Sequence, residues 1–525
     1  MIGGDLIADA KELAQSNRGK SDKGLGRKVK NEQNRNKKKY SRVLKGLAAV
    51  AILAVVITAA VYLSGQNTGI SPEEKITGGG NSGVADNNDL KVPSSLDTTD
   101  DNEVLAAYAV AKSEYPVMAP YPDESKALDE GGYEQFTKDY ELWKADRNTQ
   151  LEKYKSMSIS INSFVRASVQ EFLGNAADDN IVYSPLNVYM ALGMLAELTD
   201  GNSRQQILDL VGADSIESLR KEANAIWNAH YCNDGAVTSL LASSVWLNKD
   251  IDFKEQTLNC LASDYYAASY QGEMGTDEFD EALHQWINDN TGGLLSEQAE
   301  ALKMTPDTVL ALATTVFYSA NWSDKFSEEK TDMQIFHGTD GDVQCEFMNA
   351  RRNTNYYWGD KFSAVMNGLE ESGHMYIILP DEGVSIGELL ADDQWLDFVY
   401  AGYKWDNSKS INVNMSIPKF DVSSQLELTE GLKNLGVTDV FDAEVADFSQ
   451  MTDMSGIEVS EAKHGVRVAI DEEGCTAAAF TAMLKNGSAM PPEDEIDFVV
   501  DRPFIFVVTS EVGLPMFVGV VNQVD

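Results

Sequence analysis

The chain has 525 residues, of which 43% are hydrophobic and 24% are charged, a composition typical of globular proteins and not of chains that are disordered throughout. Asp and Glu (83) outnumber Lys and Arg (42), and the formal net charge of −41 argues against nucleic acid as a partner because such a surface repels phosphate. The four cysteines show no CxxC spacing and the five histidines form no HExxH motif, so we expect no metal and no cofactor.

The first 64 residues divide into a basic head and an apolar run. Residues 1–45 hold 13 Lys and Arg against 5 Asp and Glu, whereas residues 46–64 hold no charge. At about 1.5 Å per residue, the apolar run is long enough to cross about 30 Å of hydrocarbon as a helix. The sequence therefore predicts a basic cytoplasmic tail (1–45), a single-pass transmembrane helix (46–64) in the cell membrane and an extracellular C-terminal part. A cleaved signal peptide, shedding and secretion are the alternatives.

Two segments separate the apolar run from the main domain. Residues 65–102 are rich in Gly, Ser, Asn, Asp and Thr, which predicts a flexible linker. A GxGxxG match at residues 78–83 follows no apolar strand and precedes no helix, so it does not indicate a dinucleotide site. Residues 103–156 are predicted to be a partly helical extension, because Gly132–Lys155 carries four aromatic residues at helical spacing. We expect that helix to pack this aromatic stripe on the main domain; the four residues are Tyr133, Phe136, Tyr140 and Trp143.

The main domain is predicted to extend over residues 157–525. Helical patterns occupy residues 158–173, 184–198 and 426–435. Strand patterns occupy residues 375–379, 411–417, 459–470 and 498–510, and the strict alternation at 411–417 is typical of a sheet with one buried face. Because helices come first and strands dominate later, the order favours an α+β fold over repeated βαβ units.

A series of short motifs in this domain resembles the serpin family of serine protease inhibitors in both order and spacing. The motifs are residues 180–187 (NIVYSPLN), 191–195 (ALGML), 242–247 (ASSVWL), 288–295 (NDNTGGLL), 317–326 (FYSANWSDKF), 417–420 (IPKF), 435–437 (LGV), 446–448 (ADF), 472–479 (EEGCTAAA), 498–506 (FVVDRPFIF) and 515–519 (PMFVG). The resemblance implies three β-sheets, eight or nine helices and an exposed reactive-centre loop. It also implies a monomer that is not an enzyme but a covalent, irreversible inhibitor, which the separately predicted N-terminal helix would anchor to the membrane.

The segment that matches the reactive loop has the composition of an insertable strand. Residues 474–484 contain no charge and no proline, and the alternate residues Cys475, Ala477, Ala479 and Thr481 are all small. Gly474 supplies unrestricted φ and ψ where the loop must turn back into a sheet. By resemblance the hinge comprises Glu472, Glu473, Gly474, Cys475, Thr476, Ala477, Ala478 and Ala479. Cutting the loop would let it insert as a strand while the attacking protease is trapped as its acyl-enzyme.

Counting from the hinge glycine as in the family places the reactive bond between Ser488 and Ala489. A small residue at this position favours elastase-like or proteinase-3-like enzymes over trypsin-like ones. The bonds on either side, Gly487–Ser488 and Ala489–Met490, are the alternatives.

The resemblance also assigns two clusters that control opening of the central sheet. Lys419 and Glu472 match an ion pair beside Trp322 at the top of the sheet. Ser184 and His464 match a polar cluster where the central strands part, and a structural histidine is the alternative for His464. The sequence departs from the family at Asn187 and Thr314 in the polar cluster and at Cys475 and Thr476 in the hinge, so both regions are expected to differ from the family pattern in these side chains.

Two other functions compete with inhibition. A serpin-fold protein that only binds a ligand is one, although its hinge would be expected to carry a bulky or charged residue. The other is a serine hydrolase, because residues 383–387 (GVSIG) match GxSxG. A nucleophile elbow requires the strand to run straight into the first glycine, whereas Pro380, Asp381 and Glu382 intervene here.

Overall fold

The computed structural model describes residues 50–62, 103–123, 132–157, 160–174, 179–474 and 494–524, and for residues 50–62 it describes only the backbone and its pairing. The predicted basic tail and linker lie outside the described residues. Within them are twelve α-helices, eight of which have eight or more residues. They are α1 (Glu103–Ala106), α2 (Gly132–Lys155), α3 (Ile161–Leu173), α4 (Pro185–Leu198), α5 (Gly201–Val211), α6 (Ile216–His230), α7 (Glu255–Asp264), α8 (Asp277–Thr291), α9 (Ser296–Glu300), α10 (Ile386–Leu390), α11 (Gln394–Ala401) and α12 (Thr429–Asn434).

The described strands form one open sheet and a second, branched assembly. They are β1 (Val50–Tyr62), β2 (Ala109–Ala111), β3 (Ile181–Tyr183), β4 (Cys232–Asn233), β5 (Thr238–Asn248), β6 (Ala267–Gly272), β7 (Thr308–Ser319), β8 (Asp332–Gly338), β9 (Gly341–Trp358), β10 (Phe362–Gly368), β11 (His374–Pro380), β12 (Ser408–Pro418), β13 (Phe420–Glu427), β14 (Ile457–Ile470), β15 (Glu495–Val499), β16 (Phe504–Thr509) and β17 (Pro515–Val521). Sheet A has the order β13-β14-β1-β7-β5-β6-β2, with β4 paired to β5.

The second assembly is two sheets that share the long strand β9. Residues 341–347 of β9 pair with β8 and residues 347–357 pair with β12; β15 extends that sheet, which we call sheet C. The end of β9 pairs with β10 and leads into sheet B, which continues through β11, β16 and β17 to β3. The described residues therefore form three sheets packed with helices, and the predicted α+β architecture is confirmed.

Helix α4 forms the centre of the core. All of its 14 residues are buried, and it contacts both β7 of sheet A and β17 of sheet B. The helix starts at Pro185, which is pre-organised for a first helical position, after Ser184 as N-cap. Its one ionisable acid, Glu197, is paired with Arg220 at 2.7 Å, so burial leaves no charge unpaired.

Two predicted elements of the main domain differ from the structure. The predicted helix at 426–435 is shorter (α12), because Leu426 lies in β13 and pairs with His464. The predicted strand at 498–510 is two strands, β15 and β16, separated at Pro503, which cannot donate to a ladder.

The predicted transmembrane helix at 46–64 is wrong, and so is the cell-membrane localisation based on it. Residues Val50–Tyr62 form strand β1 in the middle of sheet A. None of the described helices combines the length and the apolar character that a bilayer crossing requires. The segment is rich in β-branched Val, Ile and Thr, which suit a strand, and an uncharged apolar run is equally typical of a strand buried on both faces.

The extension before the main domain is attached to it along one side. Strand β2 pairs with β6 at the edge of sheet A, and helix α2 contacts α6. Trp143 is 4% exposed and its Nε1 donates to Asp234 at 2.9 Å. Arg147 donates to the carbonyl of Ala229, in the last turn of α6, and to that of Tyr231, which directly follows the helix. Helix α2 has the predicted bounds, but Tyr133 is 71% exposed and does not belong to the packed stripe.

Candidate functional site

The segment that matches the reactive loop connects sheet A with sheet C. Gly474, at the end of β14, forms an antiparallel bridge with Asn321. The carbonyl of Asp494, just before β15, accepts a hydrogen bond from the Asn412 amide at 3.2 Å. The predicted reactive bond Ser488–Ala489 and the hinge residues Cys475, Thr476, Ala477, Ala478 and Ala479 lie outside the described residues. Both anchors of the loop are therefore described, and they belong to different sheets.

The start of the hinge is held by backbone hydrogen bonds. The carbonyl of Glu472 accepts from the Phe326 amide at 3.0 Å, and that of Glu473 accepts from the Trp322 amide at 3.3 Å. Gly474 has φ +86°, and a Cβ added there would lie 2.3 Å from the Trp322 nitrogen. Only glycine fits this turn, because any side chain would meet both an unfavourable φ and a backbone clash.

A buried ion pair lies next to this turn. Lys419 Nζ is 2.9 Å from a carboxylate oxygen of Glu472, which is only 2% exposed, and 2.9 Å from a carboxylate oxygen of the exposed Glu346. The Thr331 hydroxyl donates to the same Glu472 carboxylate. Trp322 Nε1 donates to the carbonyl of Asp471 at 2.7 Å. The structure thus brings together Glu472, Lys419 and Trp322, the three residues that the sequence assigned to the top of the sheet.

Asp471 is a buried acid that the sequence did not single out. Its side chain accepts from the Glu473 amide at 2.9 Å, and its other oxygen has no hydrogen-bond partner among the described residues. Burial, together with the neighbouring Glu472 carboxylate, raises the pKa of Asp471 to about 8. The group is therefore protonated at neutral pH, and the only local signal for it is a run of three acids directly after a buried strand.

A second polar cluster lies at the middle of sheet A. The Ser184 amide donates to Nε2 of His464 at 3.0 Å, and Nδ2 of Asn187 donates to the carbonyl of Thr314 at 3.2 Å. His464 is fully buried, and this burial lowers its pKa to about 3. The imidazole is neutral, as an accepting Nε2 requires. The cluster connects the start of α4 to β14 on one side and to β7 on the other, which places Ser184 and His464 where the sequence assigned them.

Strands β7 and β14 leave one strand position between them, which we call the slot. They do not pair with each other, and β1 lies between them, parallel to both. The slot ends beside the hinge, because Tyr62 pairs with Ala469 two residues before Asp471. The strand that runs into the loop therefore borders a position where a strand can be added.

The GxSxG match has a structural role. Ser385 is the N-cap of the five-residue helix α10, and its side chain exchanges capping hydrogen bonds with Glu388. This capping box fixes the start of a short helix whose Ile386, Leu389 and Leu390 are buried, and the turn at Gly383 has φ +87°. The serine is not at a strand-to-helix elbow, so the local geometry does not favour a hydrolase.

Comparisons with known proteins agree on one family. The family described as "Serpin (serine protease inhibitor)" matches residues 160–524. Serpin-ZX of Arabidopsis thaliana is 28% identical over 362 residues, covering 65% of this chain and 91% of the relative. The leukocyte elastase inhibitor of Homo sapiens is 28% identical over 351 residues, covering 65% of this chain and 92% of the relative.

Solved structures match the same region. The native state of tengpin, a thermophilic serpin, superposes with a TM-score of 0.61 at 25% identity, covering 70% of this chain and 95% of its own. Arabidopsis AtSerpin1 in its native stressed conformation superposes with a TM-score of 0.59 at 25% identity, covering 70% of this chain and 99% of its own. Human thyroxine-binding globulin, solved with its hormone, gives 0.59 at 20% identity, which shows the fold alone.

Proposed function

The chain belongs to the serpin family, and we propose that it inhibits serine proteases as a suicide substrate. The protease cuts the loop between β14 and β15, and the loop then enters sheet A as a strand with the acyl-enzyme still attached. The chain is consumed in the process and is not a catalyst that turns over. The family was predicted from the sequence, and that prediction is confirmed; inhibition and target preference are the proposal.

The slot between β7 and β14 is the observation that carries this proposal. A loop segment that turns back at Gly474 would run along the slot edge of β14. Residues 475–488 number 14, as many as β14 itself. At about 3.3 Å per residue, both segments are about 46 Å long. The cut loop up to Ser488 therefore matches the strand beside which it would insert.

The two anchors explain why a cut is needed. The intact loop is held at Gly474 in sheet A and at Asp494 in sheet C, so it cannot extend along the slot. Cutting frees one end. Each ladder hydrogen bond formed then contributes about 0.5–1.5 kcal/mol net, and a dozen residues bonded on both sides outweigh the entropy of ordering them. The buried Lys419–Glu472 pair and the tight turn at Gly474 hold the hinge in place beforehand.

Elastase-like enzymes are the proposed targets. Ser488 presents a small side chain to the primary pocket, which disfavours enzymes that select Lys or Arg. The only basic residue between 475 and 493 is Lys485. Cutting after it would leave an insert shorter than β14. The resemblance to the leukocyte elastase inhibitor supports the same choice.

Incubation with neutrophil elastase, proteinase 3 and trypsin tests the proposal. We expect a complex of chain and enzyme that survives SDS with the first two enzymes, and a cut chain that melts at a higher temperature than the uncut one. The variant Ala477→Arg keeps the reactive bond but places a charge in the inserting strand, so it should be cut without forming a complex. The variant Ser488→Arg should transfer complex formation to trypsin. Cleavage of the loop with no complex in any variant, and no gain in melting temperature, would instead indicate a serpin-fold binding protein.

A further inference from the structure

The slot in sheet A is occupied along nearly its whole length by a segment that lies far from it in the sequence. On one side β1 pairs with β14 from Val50↔Ile457 to Tyr62↔Ala469. On the other side it pairs with β7 from Ala51↔Thr308 to Val61↔Tyr318. Both edges of β1 are therefore used, as in a central strand and not as in a strand attached at an edge.

The composition of the segment fits this position. Residues Val50–Tyr62 contain no charge and no proline, so no residue lacks an amide donor for the ladder. The neighbouring strand β7 is buried at all positions except its last. On the core side of the two flanking strands, a small cavity is lined among the described residues only by apolar side chains, including Leu312, Val459 and Ala462. The buried face of the slot thus favours an extended peptide with uncharged side chains on that face.

The reactive loop requires the same position. A loop that turned back at Gly474 would run antiparallel to β14, whereas β1 runs parallel to it. Both segments are largely uncharged: residues 475–484 also contain no charge and no proline, and Lys485 is the one charged residue from 475 to Ser488. One strand position cannot hold both.

We propose that the slot is a binding site for an extended apolar peptide and that its resident occupant is the chain's own segment 50–62, which competes with the reactive loop. Occupancy of the slot is independent of the function of the protein, while its consequence for inhibition rests on the proposed function. In molecules whose slot β1 occupies, a cut loop cannot insert and the protease is released instead of being trapped, so only the remaining molecules form the covalent complex. Displacement of segment 50–62 makes the inhibitor competent.

Disulfide trapping in the full chain tests occupancy without any protease. Val55 pairs with Ala313 of β7, and neighbouring strands are about 4.8 Å apart, within the range of a disulfide. The variant Val55→Cys/Ala313→Cys should form this crosslink on mild oxidation, detected by mass spectrometry of the linked peptides. The matched control Val55→Cys/Ala242→Cys places the second cysteine on β5, one strand further away, and should not crosslink. Absence of the first crosslink, or equal yield from both pairs, would overturn the proposal.

A second experiment tests the competition. The variant Val55→Asp/Val56→Asp puts one charge on each face of the segment, so one carboxylate must face the core if the slot is occupied. The control Ser82→Asp/Gly83→Asp adds the same charge within the predicted linker. With elastase we expect the ratio of SDS-stable complex to free cut chain to rise about tenfold in the first variant and to stay unchanged in the control, because occupancy removes the competent fraction. Circular dichroism checks that each variant is folded. The variant Ala54→Pro removes one backbone amide donor from the ladder of β1 and should raise the same ratio without adding a charge.

The outcomes separate the two proposals. A crosslink without covalent complex in any variant means that the slot is occupied and the proposed inhibitory function is wrong. No crosslink means that occupancy is wrong, whatever the inhibition assay gives. A crosslink with an unchanged ratio in Val55→Asp/Val56→Asp and in Ala54→Pro overturns the competition.

Discussion

The ion pair between Lys419 and Glu472 allows a quantitative test of what holds the hinge beside the slot. The variant Lys419→Ala removes the ammonium group and leaves a carboxylate that is 2% exposed, with the Thr331 hydroxyl as its remaining side-chain donor. Removing one partner of a buried pair costs about 3–5 kcal/mol. Because the Lys419 side chain itself is 18% exposed, some solvent reaches the pair, and we expect a loss near the lower limit, about 3 kcal/mol.

The neighbouring Glu346 provides a matched control. It lies at the same distance from Lys419, but its side chain is 56% exposed, so the variant Glu346→Ala should cost no more than about 1 kcal/mol. The free energy of unfolding is measured for both variants by urea titration, followed by tryptophan fluorescence and circular dichroism. The double variant Lys419→Ala/Glu472→Gln should recover part of the loss, because no charge is then left unpaired. Equal losses in Lys419→Ala and Glu346→Ala would show that the pair is effectively solvated and refute the reasoning.

Two further predictions concern buried groups near sheet A. Burial lowers the folded pKa of His464 to about 3 and of His230 to about 4, against about 6.5 when unfolded, so the unfolded chain binds more protons below pH 6.5. Their stabilisation should be complete above about pH 6.5 and fall progressively toward pH 4, and the two histidines together should outweigh Asp471, which has the opposite effect because its folded pKa of about 8 lies above its unfolded value; a melting temperature that is flat over this range would contradict it. The variant Gly474→Ala should lower the free energy of unfolding by about 1–3 kcal/mol, and clearly more than Gly513→Ala, which has a similar φ of +81° but nothing within 4 Å of the added Cβ. If both variants lower the free energy of unfolding by the same amount, the close approach to Trp322 does not add to the cost of a side chain at position 474.

Local sequence signals were sufficient for the elements that carry their own boundaries. Gly132–Lys155 was predicted to its last residue because its charges and aromatic residues follow the helical period. The need for a glycine at position 474 was also predictable, since a chain that turns back beside its own strand requires a positive φ. The order of the family motifs then supplied what local patterns cannot, namely that Lys419 and Trp322 meet Glu472.

Properties that depend on distant partners were not predictable. The burial of Asp471 results from contacts with residues around Trp322, about 150 positions away, and a run of three acids normally indicates an exposed turn. The end of β15 at Val499 was missed for a different reason. Apolar residues resume directly after Asp501, Arg502 and Pro503, and this break had to be given more weight than the β-rich composition on either side of it.

Residues 50–62 illustrate why an apolar run alone does not determine a conformation. A run without charge satisfies its backbone groups either within itself, as a helix in hydrocarbon, or with two neighbouring strands. Pairing with two neighbouring strands requires two free strand edges, and the sequence of residues 46–64 does not show whether such edges exist elsewhere in the chain. Here the edges belong to β7 and β14, so that Val56 pairs with Thr314 on one side and with His464 on the other. The same two edges are the ones that a cut reactive loop would use, so under the proposed competition the N-terminal segment and the cut loop exclude each other from sheet A.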